Sequence, residues 1–255
     1  MAYKQKIISI QQGNIVEVTK TQRLPVKNKI RNNRQNVTTL VQSELNNKNA
    51  INNLRLLLLE NFTAEDLYCT LTYKNEPTPA EAKKELANFR QRLQRFYKKL
   101  GAEVKYISIT ECLTKKQRIH HHIIIHVDNI RIKLSDIKSL WLNGWVKARV
   151  FGGTIEDCQR LANYLVKKKR NAFFTQPHIY IKRWNSSKNL QKPQQTTAII
   201  HHKTWRNEPK IKKGYYLDKD SLINGYYIFE EGYYEYEYQF YRIIRLQQKE
   251  QPIKT

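Results

Sequence analysis

Three consecutive histidines, His120, His121 and His122, lie at the start of an apolar run that extends to Ile125. This run is typical of a β-strand, in which successive side chains point to opposite faces, so His120 and His122 share one face. Glu111 ends the preceding apolar run and places a carboxylate at the end of a neighbouring strand. Two imidazole nitrogens and one carboxylate oxygen, with open coordination positions, can bind a divalent metal ion and a phosphate oxygen.

A tyrosine and a lysine on a later predicted helix, Tyr164 and Lys167, would complete such a site. Because they are three residues apart, they share one helix face. A tyrosine phenol is mostly protonated at neutral pH, and it attacks phosphate only with help from a nearby metal ion or ammonium group. The chain has 16 tyrosines, so this spacing is a weak signal when it is taken alone.

The identity of the two ligand histidines depends on the register of the strand. A slip of one residue would turn His121 toward the metal in place of its neighbours. His121 shares its face with Ile123 and Ile125, the more apolar side of the strand, which favours His120 and His122 as the ligands. The alternative interpretation is a solvated histidine run on an edge strand with adventitious affinity for metal.

The charge of the chain indicates a polyanionic partner. Its 255 residues include 46 Lys and Arg against 22 Asp and Glu, a net charge of +24, and nucleic acid is the most common partner of such a surface. A membrane is the competing polyanion, but no stretch approaches the roughly 18 apolar residues of a spanning helix. The N-terminal residues lack the features of a signal peptide.

Cys69, Cys112 and Cys158 show no paired spacing, so we expect free thiols in a reducing cytoplasm.

The order of the predicted elements indicates an α+β fold with an antiparallel central sheet flanked by helices. Strands are expected near 67–73, 104–111, 118–127 and 145–151, and helices near 80–100, 134–141 and 154–169. We expect three domains: an N-terminal extension at 1–60 with a small hairpin and a polar arm, a domain with the candidate catalytic residues at 61–175, and a basic, Tyr-rich C-terminal extension at 176–255.

Three short motifs, taken in order, carry a resemblance to a known family. Residues 69–73 read Cys-Thr-Leu-Thr-Tyr, residues 118–123 read Arg-Ile-His-His-His-Ile, and residues 164–167 read Tyr-Leu-Val-Lys. They resemble the Thr-Leu-Thr-Tyr strand, the His-apolar-His motif and the catalytic Tyr-x-x-Lys of the HUH endonucleases, specifically the rolling-circle replication initiators of small bacterial plasmids and phages. A Trp-x-x-Gly segment at 141–144 is similar to one often found between the last two motifs.

The chain departs from this family pattern at two positions. The middle residue of the His motif is usually apolar and here is His121, which leaves open whether His121 replaces one of its neighbours as a ligand. Some relatives carry a second tyrosine four residues after the first, where this chain has Lys168. The resemblance therefore implies an enzyme with a single catalytic tyrosine.

The resemblance implies an HUH endonuclease fold with a ferredoxin- or RRM-like palm, and a metal-dependent DNA-nicking and strand-transfer activity. Mg²⁺ or Mn²⁺ held by Glu111, His120 and His122 would polarise the scissile phosphate. Tyr164 would attack that phosphate and form a 5′-phosphotyrosine link, and the strand would later be religated. Lys167 would orient the tyrosine or stabilise the developing charge.

The implied partners are single-stranded DNA at a replication-origin hairpin, a host helicase and a polymerase, in the cytoplasm of a bacterial host and away from any membrane. A host helicase is expected because the sequence contains no Gly-rich phosphate-binding loop. Basic residues near the motifs are the candidate DNA contacts: Arg90, Lys115, Lys116, Arg118, Lys168, Lys169 and Arg170.

Two other classes of function remain open. A conjugative relaxase or a single-strand transposase would use the same chemistry, although relaxases usually place the tyrosine before the His motif and here it follows. A basic single-strand-binding protein with inert histidines, or a protein whose Tyr-rich end binds a partner, would need no chemistry. Metal-dependent cleavage separates the enzymes from the binding proteins.

Overall fold

The computed structural model describes residues 2–22, 40–111, 118–127, 132–175, 184–228 and 235–246, without the side chains of 40–43, 167–175, 227–228 and 235. The chain divides into two compact units. One unit is Thr38–Lys192, and the other combines Met1–Val37 with Pro193–Thr255. The domain boundaries that the sequence predicts at residues 60 and 175 remain a prediction.

The strands and helices are numbered in chain order. They are β1 (Tyr3–Ile10), β2 (Ile15–Gln22), α1 (Leu40–Asn61), β3 (Leu67–Thr72), α2 (Pro79–Lys99), β4 (Tyr106–Glu111), β5 (His120–Ile125), α3 (Leu134–Leu140), β6 (Val146–Val150), α4 (Ile155–Thr175), β7 (Asn185–Ser186), β8 (Gln194–Ile200), β9 (Tyr215–Ile228) and β10 (Glu235–Arg245).

Among the described residues, each unit contains one antiparallel sheet of five strands. In the unit Thr38–Lys192, the strands lie in the order β6-β3-β5-β4-β7. From β3 to α4 the elements follow the order strand, helix, strand, strand, helix, strand, helix that the sequence predicts. The expected α+β fold, an antiparallel sheet flanked by helices, is confirmed.

Helix α2 begins where the local sequence caps it. The Thr78 hydroxyl oxygen accepts a hydrogen bond from the Glu81 N–H, the Glu81 carboxylate accepts one from the Thr78 N–H, and Pro79 occupies the first turn. The chain leaves the helix at Gly101, whose φ of +75° favours glycine. This reciprocal capping and the proline explain why the predicted helix starts here.

The apolar side of α2 packs on one face of the sheet, called here the core face. Leu86, Phe89 and Leu93 of α2 are buried together with Leu71 of β3 and Ile123 of β5. Because side chains alternate along a strand, the odd-numbered residues of β3 and β5 point to the core face. The even-numbered residues of these two strands point to the opposite face, called here the site face.

Helices α1 and α4 pack against each other, and α4 also contacts β4. Both helices bury leucines that are four positions apart, Leu54 and Leu58 in α1 and Leu161 and Leu165 in α4, as expected for one apolar side of a helix. Since α2 occupies the core face, α4 lies on the site face. The apolar side of α4 thus determines which of its other residues approach the sheet.

The short strand β7 covers one edge of this sheet by pairing with β4. The Ser187 hydroxyl accepts a hydrogen bond from the Tyr106 N–H, and the Ser187 N–H donates one to the Tyr106 carbonyl oxygen. These bonds satisfy backbone groups that an open edge would expose. The other edge of the sheet is strand β6.

The second unit joins the two ends of the chain in one sheet, with the strand order β8-β1-β2-β10-β9. The predicted N-terminal hairpin is present as β1 and β2, with Ile10 opposite Ile15. The Tyr-rich C-terminal segment supplies β9 and β10, and β10 pairs with β2. Val18, Tyr241 and Ile243 form the buried part of an apolar cluster in this unit.

The composition also leads to expectations about thiols and membranes. Cys69 and Cys158 are buried free thiols, and burial raises the pKa of each to about 12. Cys112 lies outside the described residues. In the part of the chain that the structure describes, no helix has the length and apolar character needed to cross a membrane.

The turn between α3 and β6 is held tightly against the end of β3. The Trp141 indole N–H donates to the Thr72 carbonyl oxygen at 2.9 Å, and the Lys74 N–H donates to the Asn143 carbonyl oxygen at 2.9 Å. A Cβ atom at Gly144 would overlap the Thr72 carbonyl oxygen and lie 2.8 Å from the Lys74 nitrogen. Only glycine therefore allows this close approach of two backbones.

Replacing Gly144 with alanine should lower the free energy of unfolding by about 3 kcal/mol, the upper end of the range for overpacking, because the overlapping atoms belong to the backbone. The measurement is urea unfolding of the full chain. Gly101→Ala is the control, since a Cβ there meets nothing within 4 Å and only the positive φ costs about 1 kcal/mol. Equal losses of stability in the two variants would show that the close approach is not rigid.

Candidate active site

The pairing of β4 with β5 brings the predicted metal ligands together. Glu111 lies opposite His120, and Ile109 lies opposite His122, in the antiparallel register. Side-chain alternation then places Glu111, His120 and His122 on the site face. Their candidate ligand atoms all lie within 4.8 Å of one another.

The distances within this cluster fit a bound metal ion. Glu111 Oε2 lies 3.1 Å from His120 Nε2, and Glu111 Oε1 lies 3.4 Å from His122 Nε2. Two ligand atoms in neighbouring positions of an octahedron, each about 2.1 Å from the ion, are about 3 Å apart. Small movements of the side chains would therefore let all three residues coordinate one ion.

A backbone carbonyl orients the ring of His120. Nδ1 of His120 lies 3.0 Å from the Arg118 carbonyl oxygen, which can only accept a hydrogen bond, so Nδ1 carries a proton. In the neutral imidazole, Nε2 is then an acceptor that faces Glu111 Oε2. Two acceptors at this distance are compatible only when a proton or a metal ion lies between them.

Two hydroxyl groups hold the ring of His122 through its Nδ1 atom. Nδ1 of His122 lies 2.7 Å from the Tyr68 hydroxyl oxygen and 3.2 Å from the Thr70 hydroxyl oxygen. Its Nε2 is buried and, among the described residues, has no hydrogen-bond partner. Such an arrangement, with one nitrogen held by the protein and the other presented to the cluster, is typical of histidines that bind metal.

The environment of Glu111 also favours a cation. The residue is 3% exposed, and a buried carboxylate is stable only when a positive charge or several hydrogen-bond donors compensate it. His120 and His122 supply that charge when they are protonated, and a divalent ion would supply it when they are neutral. The carboxylate between two imidazoles is thus a site for protons or for metal.

His121, the third histidine of the run, lies on the core face. The Tyr73 hydroxyl oxygen is 2.6 Å from its Nε2, and the Thr110 hydroxyl oxygen is 2.9 Å from its Nδ1. Burial, followed by the charges of the neighbouring histidines, lowers the pKa of His121 to about 3, so its ring is neutral. Its position and its hydrogen bonds favour a structural role over the replacement of His120 or His122 as a ligand.

Helix α4 brings Tyr164 to the cluster. The Tyr164 ring lies 5.8 Å from the His122 ring, centroid to centroid, with an angle of 79° between the two planes. Leu161 and Leu165 fix the rotation of the helix, and Tyr164, at the border of this apolar side, keeps 40% of its surface exposed. An exposed tyrosine side chain thus lies beside the candidate metal ligands.

The structure describes only some of the basic side chains that are predicted to contact DNA. Lys115 and Lys116 lie outside the described residues, as do the side chains of Lys167, Lys168, Lys169 and Arg170, whose backbone continues α4. Arg90 belongs to α2, which packs on the core face, across the sheet from the candidate metal ligands. The Arg118 side chain pairs with Glu76 at 2.9 Å. A role of these residues in DNA binding remains a prediction.

Three residues of the site face, Tyr68, Lys147 and Arg149, were not predicted from the sequence. Tyr68 contacts both His122 and Arg149, whose guanidinium lies 4.7 Å from the Tyr68 ring centroid. Burial and the nearby Tyr164 raise the pKa of Tyr68, so its hydroxyl stays protonated. Lys147 belongs to strand β6 and lies opposite Thr70 of β3. The alternation of β3 from Thr70 would have pointed to Tyr68, but the pairing of β6 with β3 is not visible in the sequence.

Comparisons with known proteins link this part of the chain to replication. Residues 66–171 match the model of a family described as "Replication-associated protein", of the ORF2 type. The match covers less than half of the chain and includes all of the residues of the candidate site. None of the curated proteins compared with the chain matches it.

A solved structure, described as the hypothetical protein ORF119 from Sulfolobus islandicus rod-shaped virus 1, is 18% identical to the chain. The alignment covers 48% of this chain and 92% of that one, with a TM-score of 0.33. A similarity at this level supports no conclusion about the fold or the function.

The cluster geometry predicts that the wild-type chain binds one Mn²⁺ ion and that His122→Ala weakens this binding at least about 10-fold, because one of three protein ligands is lost. Isothermal titration calorimetry on the full chain measures the affinity. His202→Ala is the matched control, since His202 is exposed and belongs to the other unit. Equal affinities of wild type and His122→Ala would contradict the predicted ligand set.

Proposed function

We propose that the chain is a replication initiator that nicks single-stranded DNA at an origin by attack of Tyr164 on a backbone phosphate. The observation that carries this proposal is the contact of the Tyr164 ring with the His122 ring, 5.8 Å between centroids. The proposed reaction needs a tyrosine hydroxyl beside metal ligands, and this contact brings Tyr164 next to the candidate ligand cluster. The assignment to replication rests on the match of residues 66–171 to the replication-associated family.

The proposed reaction exchanges one phosphate ester for another. The Tyr164 phenol oxygen forms a bond to phosphorus, the bond from phosphorus to the 3′ oxygen breaks, and that oxygen leaves with the electron pair and takes up a proton. The phenol proton passes to solvent, which the half-exposed side chain contacts. Since one ester is lost and one is formed, the 3′-hydroxyl can attack the phosphotyrosine in reverse and religate the strand without ATP.

Some residues of the site are proposed to hold a metal ion, and others orient the residues that would hold it. Glu111, His120 and His122 are proposed to hold Mg²⁺ or Mn²⁺, which when bound would polarise the phosphate and offset its developing charge. Tyr68 and Thr70 fix the ring of His122 through its Nδ1. The buried setting of Glu111 keeps water away from the ligand atoms, which strengthens their interaction with a cation.

The basic end of α4 is proposed to contribute to catalysis and to DNA binding. Lys167 follows Tyr164 by three positions on the helix, so its ammonium group is expected on the same side, where it would orient the phenol or stabilise charge on the phosphate. Lys168, Lys169 and Arg170 would contact neighbouring phosphates. The further partners in this proposal are an origin hairpin, a host helicase and a host polymerase.

Wild-type chain mixed with 3′-end-labelled single-stranded DNA from its own replicon and Mn²⁺ should give a labelled protein band on a denaturing gel, because the phosphotyrosine link would join the protein to the fragment that carries the 3′ label. Tyr164→Phe should give none, because the phenol oxygen that forms the covalent bond is missing. The same variant should still bind the DNA in a filter-binding assay, since the metal ligands and the basic residues are unchanged.

Two controls keep this test specific. Tyr226→Phe removes an exposed tyrosine of the other unit and should form the adduct as the wild type does, whereas EDTA should prevent it. A labelled protein band with Tyr164→Phe, or with wild type in EDTA, would overturn the proposed mechanism.

A further inference from the structure

Strand β6, the edge of the sheet next to β3, and the residue before it carry a row of three exposed side chains on the site face. The cross-strand pairs are Trp145 with Thr72, Lys147 with Thr70, and Arg149 with Tyr68. Paired residues of neighbouring strands point to the same face. Because Tyr68, Thr70 and Thr72 are on the site face, the row along β6 shares that face with the metal ligands.

The row is also aligned with the metal ligands along the strands. Thr72 lies opposite His120, and Thr70 lies opposite His122, on the far side of β3 from β6. Trp145 is therefore in line with His120, and Lys147 is in line with His122. Two strand spacings separate each pair, about 10 Å between backbones, which is within the reach of a few nucleotides.

Trp145 is presented to solvent by a rigid backbone. Its side chain is 61% exposed, yet its N–H and carbonyl groups both bond to Thr72, at 3.1 Å and 2.9 Å. The preceding Gly144 fits against the Thr72 carbonyl only because it lacks a Cβ atom. A large apolar ring held at a fixed place on an exposed edge suits stacking on a nucleic acid base.

The two basic residues of the row supply the charge that a DNA strand needs. Lys147 and Arg149 are exposed and lie two positions apart, about 6.6 Å along the strand, a distance similar to one nucleotide of an extended single strand. Charged residues on an edge strand also discourage pairing with another sheet. That role does not explain Trp145, since an exposed aromatic ring would promote such association.

We propose that Trp145, Lys147 and Arg149 form a single-strand track that binds the DNA next to the scissile phosphate. Trp145 stacks on a base, and the two cations contact successive phosphates, so the strand runs along β6 and turns across β3 toward Tyr164. This inference rests on the proposed function and adds the residues that position the substrate.

The test is the binding of fluorescein-labelled oligo(dT) of 20 nucleotides to the full chain, followed by fluorescence anisotropy in EDTA and in the Tyr164→Phe background, so that no cleavage occurs. Trp145→Ala should weaken binding about 10-fold, and Trp145→Tyr should retain most of the affinity, because a smaller ring still stacks. Leu142→Ala is the matched control, since Leu142 is 70% exposed on the same turn, and it should bind as the parent does.

The basic residues give a second readout. Lys147→Ala and Arg149→Ala should each reduce the slope of log affinity against log salt concentration by about 0.7, the value for one lost phosphate contact on a single strand. Parental affinity of Trp145→Ala, a loss no larger than that of Leu142→Ala, or unchanged salt slopes would overturn the proposed track.

The result of this binding test can be distinguished from the result of the adduct test of the proposed function. Weak binding by Trp145→Ala with no covalent adduct from the wild type would support the track and contradict the nicking reaction. Adduct formation by the wild type with parental binding by Trp145→Ala would support nicking and contradict the track.

Discussion

A buried carboxylate between two imidazoles is the interaction on which the site depends. Glu111 is 3% exposed and faces the Nε2 atoms of both His120 and His122. A negative charge removed from water in this way is stable only when a cation or several hydrogen-bond donors compensate it. The hydrogen bonds to the other nitrogens of the two rings leave their Nε2 atoms directed at the carboxylate, so the whole cluster converges on one point.

Strand alternation places His121 on the core face and the two candidate metal ligands, His120 and His122, on the site face. On the core face, His121 is a neutral ring that bonds to two hydroxyl groups and packs among the apolar residues below α2. On the site face, its two neighbours meet Glu111 and the tyrosine of α4. A register shift of one residue would exchange these roles, which is why the pairing of β4 with β5 has to be fixed by the rest of the fold.

The parts of this site that were predictable from the sequence are those that depend on local periodicity. The faces of β5, the ends of α2 at Thr78 and Gly101, and the order of the elements follow from alternation, capping and apolar spacing. Tyr68 could have been found from the alternation of β3, whereas Lys147 and Arg149 could not, because the pairing of β6 with β3 places them on the site face. The joining of both chain ends in one sheet was missed for the same reason, since no local signal specifies which strands pair.

The central claim is that Tyr164 itself forms a covalent bond to DNA, and peptide mapping tests it most directly. Trypsin releases residues 161–167 as a peptide with one tyrosine. After reaction with single-stranded origin DNA and Mn²⁺, and digestion with nuclease and trypsin, mass spectrometry should find a nucleotide on that peptide. A nucleotide on a peptide with another tyrosine, or on none despite DNA binding, would contradict the claim.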